Sequence, residues 1–181
     1  MNPAEQLDMI LPVLGDLTAS LDESQLDTPT TSTAFTVRNV LEHMTGGGTM
    51  FAAAFRGEAP PAMPLTDDAR AAFRTAMNDL QDAVHSPGAL DRTIDAPFGE
   101  VPGEAFARFV ALDGLVHGWD IATAIGRDYD PPLELVQEVD AFARQAISPA
   151  MRDGDAFAEP VDPPADASPL TKLVAFTGRR V

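Results

Sequence analysis

The sequence predicts an all-α protein: an up-and-down four-helix bundle with an additional C-terminal helix and an irregular tail. Three observations lead there. Apolar residues recur at three- and four-residue steps over several long stretches, the mark of helices with one core face. Proline, glycine and small polar residues gather between those stretches, where they stop helices or begin turns. No convincing run of alternating strands competes with the helices. At 181 residues the chain is read as a single domain, 1–181, long enough to bury a core of its own.

The first helix is expected over 3–21, where Leu7, Ile10, Leu11, Leu14 and Leu17 make one apolar face. After a polar run at 27–33, Thr36 is placed to cap a second helix. Its stripe is Val37, Val40, Leu41, Met44, Phe51 and Phe55, with His43 at the edge. The Pro-rich stretch 59–64 cannot be helical and predicts a connection ending at Thr66 or Asp67 as the next cap. The third helix follows to about His85 and buries Ala72, Phe73, Ala76, Met77, Leu80 and Val84. Between 86 and 103 the pattern is short and broken by proline and glycine, which suits a loop or small hairpin.

The fourth helix runs from about Gly103 to Ile125 and stops at Gly126. Its apolar residues spread round almost the whole circumference, so it is expected to be the central helix. A fifth begins after Pro131-Pro132 and carries Leu133, Val136, Val139, Phe142, Ala143 and Ile147. The acidic, Pro-rich tail at 152–169 reads as a strap, with Leu170, Leu173, Val174 and Phe176 docking the terminus onto the bundle.

Asp113 and His117 stand four residues apart on the central helix, so both side chains occupy one face and can reach one point in space. An unpaired carboxylate or imidazole on an apolar face costs several kcal/mol or neutralises, so something must satisfy them. A divalent metal shared with the upstream His43 would do so. A self-satisfying Asp–His⁺ pair is the plainer alternative. The run Gly46-Gly47-Gly48 after His43 tilts toward a site, because each glycine costs about 0.8–1 kcal/mol in a helix relative to alanine. Gly47 lies one turn beyond His43 and would leave open space beside the imidazole; close helix packing or a helix break is the alternative. Two imidazoles and a carboxylate with a free fourth position make up a catalytic rather than a closed structural zinc site. Asp120 reads as an acceptor that orients His117, as a solvated acid, or as a salt-bridge partner of an arginine. His85 is expected at the surface, ending the third helix, and is not counted as a ligand.

Composition excludes several classes. The chain has no cysteine, hence no disulfide, no thiolate ligand and no cysteine nucleophile of its own. A formal charge of −16 argues against nucleic acid or an anionic membrane as partner, since both require a basic surface. No apolar stretch approaches a membrane span and no signal sequence opens the chain, so a cytoplasmic location is expected. One lysine, Lys172, stands against eleven arginines, which fits a high-GC bacterial genome or a salt-adapted one. Phosphate-binding loops, dinucleotide-binding glycine patterns and nucleophile elbows are absent.

Several stretches together resemble a known family: 36–43 followed by glycines, Phe98-Gly-Glu-Val-Pro-Gly103, 115–122 with Ala-Ile-Gly126, and Leu173-Val-Ala-Phe-Thr-Gly178. The likeness is to short actinobacterial members related to the N-terminal domain of mycothiol-dependent maleylpyruvate isomerase and, more distantly, to DinB-like bundles. That resemblance implies a four-helix bundle holding zinc, or alternatively nickel, through one histidine of the second helix and two residues of the fourth. His43 matches the first ligand and His117 the last. Asp113 occupies the position that is glutamate in the isomerase and often histidine in DinB-like bundles, and it is shorter than glutamate by one methylene.

The isomerase also draws on a C-terminal domain, so the expectation carried over is the shared chemistry rather than the isomerase reaction itself. The metal site is expected to be His43, Asp113 and His117, with mycothiol as an external thiol cosubstrate and a small molecule as substrate. A transferase or isomerase of small electrophiles is the leading reading; a metal-dependent hydrolase and a non-catalytic metal- or ligand-binding module are its rivals. A homodimer is one arrangement open to such a chain.

Overall fold

Cap chemistry sets most of the helix starts. The computed structural model describes residues 1–31, 35–62, 68–96, 99–152 and 157–181. Helix α1, Pro3–Ala19, opens on a reciprocal capping box between Asn2 and Glu5, with Pro3 at its first position. A short helix α2, Glu23–Leu26, follows at once, capped the same way by Asp22 and Gln25. Sequence reading did not anticipate it, because four residues are too few to show a helical period. Helix α3, Val37–Arg56, starts at Thr36 as expected and ends at Gly57, whose φ of 74° favours glycine. Helix α4, Ala69–Val84, is capped by Asp68; the caps expected at Thr66 or Asp67 lie outside the described residues.

The interrupted segment forms the small antiparallel hairpin β1, Thr93–Ala96, and β2, Gly99–Pro102, with Ile94 opposite Val101. Helix α5, Gly103–Ala124, leaves it directly, and Gly126 takes a left-handed φ of 65° just beyond its end. Helix α6, Leu133–Ala146, follows Pro131-Pro132. The short α7, Pro149–Arg152, was not expected. The docking terminus is itself a helix, α8, Pro169–Phe176, capped by Ser168, with Leu173 and Val174 fully buried.

The four long helices α1, α3, α4 and α5 make the bundle of an all-α DinB-like fold. Cross-links between them establish its directions. Gly114 packs against Ile10 and Leu14, and Arg108 donates to the carbonyl of Met1, so α5 runs parallel to α1. His85 meets Asp8 while Arg70 donates to the carbonyl of Leu21, so α4 runs antiparallel to α1. Glu23 pairs with both Arg38 and Arg70, which brings the starts of α3 and α4 to the same end. The up-and-down expectation therefore takes the particular order up-down-down-up, with α3 and α4 parallel. A chain joining two parallel neighbours must travel back along their length, about 24 Å for the 16 residues of α4. In the connection between them, the described residues 57–62 and 68 are non-helical.

Most of the expected core faces are observed, although Phe51, Ala72, Phe142 and Phe176 are only half-buried and Leu133 is exposed. Leu7, Ile10, Leu11, Leu14 and Leu17 are all buried, as are Phe73, Ala76, Met77, Leu80 and Val84. Leu133 is 57% exposed, and Leu135 is buried in its stead. Position 133 is the first residue of α6, where the chain has only just turned in from the prolines and its side chain clears the core. On α5, Gly118 faces Tyr129 and Leu14 so closely that a Cβ there would overlap the tyrosine ring. Its missing side chain lets this helix sit deep between α1 and the 125–132 loop.

Candidate metal centre

Because α3 runs opposite to α5, the first half of α3 lies beside the second half of α5, and His43 comes to face His117. Their ring centroids are 4.9 Å apart with planes crossed at 70°. Asp113, one turn before His117, puts Oδ1 3.4 Å from His117 Nε2. One donor atom from each of the three residues lies within 4.8 Å of the other two. Tetrahedral zinc with bonds of about 2.0–2.1 Å spaces its ligand atoms about 3.3 Å apart. The Asp113–His117 pair already stands at that spacing, and the widest gap needs to close by roughly 1.5 Å at most. A carboxylate oxygen of Asp113 thus lies within 4.8 Å of a ring nitrogen of each imidazole, although its side chain is one methylene shorter than glutamate's. His43 has no hydrogen-bond partner among the described residues, so two imidazoles and a carboxylate converge without a bond that uses them all. That donor set fits a divalent cation.

Asp120 orients His117. It is 3% exposed, accepts from His117 Nδ1 at 3.1 Å, and pairs with Arg179 Nη2 at 3.1 Å. Of the three roles open to Asp120, the structure combines orienter and salt bridge and removes the solvated acid. With Nδ1 engaged, Nε2 is the nitrogen turned toward Asp113 and His43. Arg179 had no part in the sequence reading. The signal for it was the Arg-Arg pair directly after the Leu173–Gly178 motif in a strongly acidic chain.

The charges answer to this geometry. Burial works against a charged His117, yet the Asp113 and Asp120 carboxylates outweigh it and raise its pKa to about 9. Burial lowers His43, with Asp113 and His117 pulling in opposite directions. Asp113 and Asp120 are desolvated, which would raise them; His117 and Arg179 hold both below the usual carboxylate range. For the metal-free protein the sign follows from linkage. A raised histidine contributes stability that is fully present below its unfolded pKa of 6.5 and is lost as pH rises through about 9. The denaturation midpoint in chelator should fall between those pH values by the equivalent of a few kcal/mol, roughly 3 at most. A flat profile in His117→Gln beside a falling one in wild type would assign the loss to His117, whereas identical profiles would remove it.

The donors open onto a cavity of about 670 Å³, a size suited to a small-molecule ligand. Phe51, Phe106 and Phe109 line one side; Phe157, Arg179 and Arg180 from the C-terminal segment line another. Two glycine expectations part here. A Cβ on Gly47 would touch the ring of Phe51 at 3.2 Å, so the space beside His43 is bounded by that ring rather than left open. Gly48 serves close packing instead, its Cα face lying against Met77 and Ala76 of α4. The third histidine, His85, is exposed, caps α4 and contacts Asp8 at 3.0 Å, away from the cluster, as its position in the sequence suggested. No helix is long and apolar enough to cross a membrane, among the described residues.

Two uncharacterized proteins of Mycobacterium tuberculosis, from strains CDC 1551/Oshkosh and H37Rv, are each 35% identical over 167 residues, covering 91% of this chain and 91% of the relative. No solved structure matches the chain. The sequence profile of the mycothiol maleylpyruvate isomerase N-terminal domain matches residues 10–122, a span that contains His43, Asp113, His117 and Asp120. The chain therefore belongs to the mycothiol maleylpyruvate isomerase N-terminal domain family.

Proposed function

We propose that this protein is a divalent-metal-dependent enzyme that uses an external thiol, of the mycothiol type, to transfer to or isomerise small electrophiles. The observation that carries the reading is the convergence of His43, Asp113 and His117 at the wall of an aromatic-lined cavity in a chain without cysteine. These three residues would hold the metal, zinc by the donor set and nickel as the alternative. When bound there, such a metal supplies Lewis acidity and lowers the pKa of a thiol or water beside it.

The protein's own groups do the rest. Asp120 fixes the His117 ring so that Nε2 points at the cluster, and Arg179 in turn anchors Asp120. Asp113 keeps the cluster from accumulating positive charge. Phe51 and Phe106, stacked edge to face at 5.1 Å, exclude water from the side where an electrophile would lie. Metal-assisted hydrolysis is the second reading, and Asp120 is poorly suited to be its base because His117 and Arg179 already occupy both carboxylate oxygens.

Metal analysis of protein purified without chelator or affinity-tag nickel should find close to one equivalent of zinc or nickel per chain. Protein that takes up no metal from a zinc-containing buffer would leave the non-catalytic binding module as the surviving description.

A further inference from the structure

The cavity beside the metal cluster has a chemical character of its own. Among the described residues five phenylalanines line it: Phe35, Phe51, Phe106, Phe109 and Phe157. Rings from α3, α5 and the segments at 35 and 157 thus enclose one volume, and Phe35 is 46% exposed at the described surface. A ring left half in water gains by covering, which an apolar ligand body in the cavity would provide.

The polar groups on the same wall are unevenly paired. Its two carboxylates are occupied, Asp113 with His117 and Asp120 with His117 and Arg179. Arg180 also lines the cavity, is exposed, and has no carboxylate partner among the described residues. Arg38, Arg56, Arg70 and Arg144, by contrast, pair with acidic side chains and lie away from this wall. With 28 acidic residues against 12 basic ones, a guanidinium on the cavity wall without a carboxylate partner among the described residues is a local cationic spot on an otherwise anionic protein. Such a spot attracts an anion and offers it up to two parallel N–H donors.

We infer that the cavity binds an amphipathic anion, a ligand with an apolar, aromatic-sized body against the phenylalanines and one carboxylate-like head group held by Arg180. This names the substrate class for the proposed activity and rests on that reading only in placing the substrate in the same cavity. Arg180 is a specificity residue in this account, separate from the metal cluster.

The test is titration calorimetry on the full-length, chelator-treated protein without thiol, so that neither metal nor turnover enters the readout. The probes are 4-phenylbutyrate, its neutral amide, and butyrate. Phenylbutyrate should bind, and the amide and butyrate should each be about tenfold weaker or more, since each lacks one half of the recognition. Arg180→Gln should weaken phenylbutyrate by about tenfold and leave the amide unchanged, while Arg180→Lys keeps most of the affinity. Binding should also weaken with added salt, as an exposed guanidinium is screened. An unchanged melting temperature in Arg180→Gln shows that the variant folds. Equal binding of phenylbutyrate by Arg180→Gln and wild type, butyrate binding as tightly as phenylbutyrate, or no phenylbutyrate binding at millimolar concentration would each overturn the inference. None of these outcomes bears on whether the metal cluster is real.

Discussion

Zinc added to the metal-free protein is expected to raise its melting temperature by roughly 5–10 °C at about a hundredfold excess over the dissociation constant, and His117→Ala is expected to abolish the rise. Mass action sets the size. A ligand that binds only the folded state at that excess contributes about 2.7 kcal/mol, and each kcal/mol moves the transition of a chain this long by about 2–4 °C. His43, Asp113 and His117 come from helices that meet only in the folded bundle, so the unfolded chain offers no organised competitor. His117 carries a proton up to about pH 9 in the metal-free state, and that proton must leave before Nε2 can donate to a cation. Zinc affinity should therefore rise with pH, by up to about tenfold per unit below that value. Asp120→Asn should weaken binding by about 10- to 100-fold while leaving the three donors in place. An equal thermal shift in wild type and His117→Ala would place the zinc on surface carboxylates instead.

Turnover of small electrophiles is expected only when metal and thiol are both present. The chain has no cysteine, so on the proposed reading a thiol would enter as a ligand, and coordination would stabilise its thiolate at neutral pH. Removing the metal, or substituting His43→Ala, should lower the rate on the order of a hundredfold or more. The assay compares metal-loaded protein with and without mycothiol across a panel of electrophiles. Metal-dependent turnover that ignores thiol would move the assignment to hydrolysis. No turnover across the panel, with zinc bound tightly, would identify a binding module.

Much of this protein can be read along its chain, for local reasons. Helix α1 is visible because a three- and four-residue apolar step, a capping box and an early proline all act within a few residues of one another. The pairing of Asp113 with His117 is visible for the same reason: α-helical geometry alone places i and i+4 on one face. The hairpin at 93–102 is legible only as a loop or hairpin, since eight strand residues interrupted by proline and glycine show little period. Helices α2 and α7, four residues each, fall below what periodicity can detect.

The long helices, the central position of α5 and the Asp113–His117 pairing are thus properties of the sequence itself, because near-neighbour spacing and hydrophobic period decide them. What the donors face was decided by tertiary structure. The up-down-down-up order, which sets α3 antiparallel to α5 and so brings His43 against His117, depends on contacts such as Glu23 with both Arg38 and Arg70 that no local pattern encodes. Gly47 and Gly48 looked alike in the chain. Only packing shows that Phe51 bounds the space at Gly47 while α4 presses against Gly48. Arg179 reaches Asp120 across 59 residues, and Arg180 joins the cavity wall beside it, because α8 docks its end against the bundle. Spacing along a chain cannot specify such a contact; it exists only once burial of Leu173 and Val174 has fixed where the C-terminal segment lies.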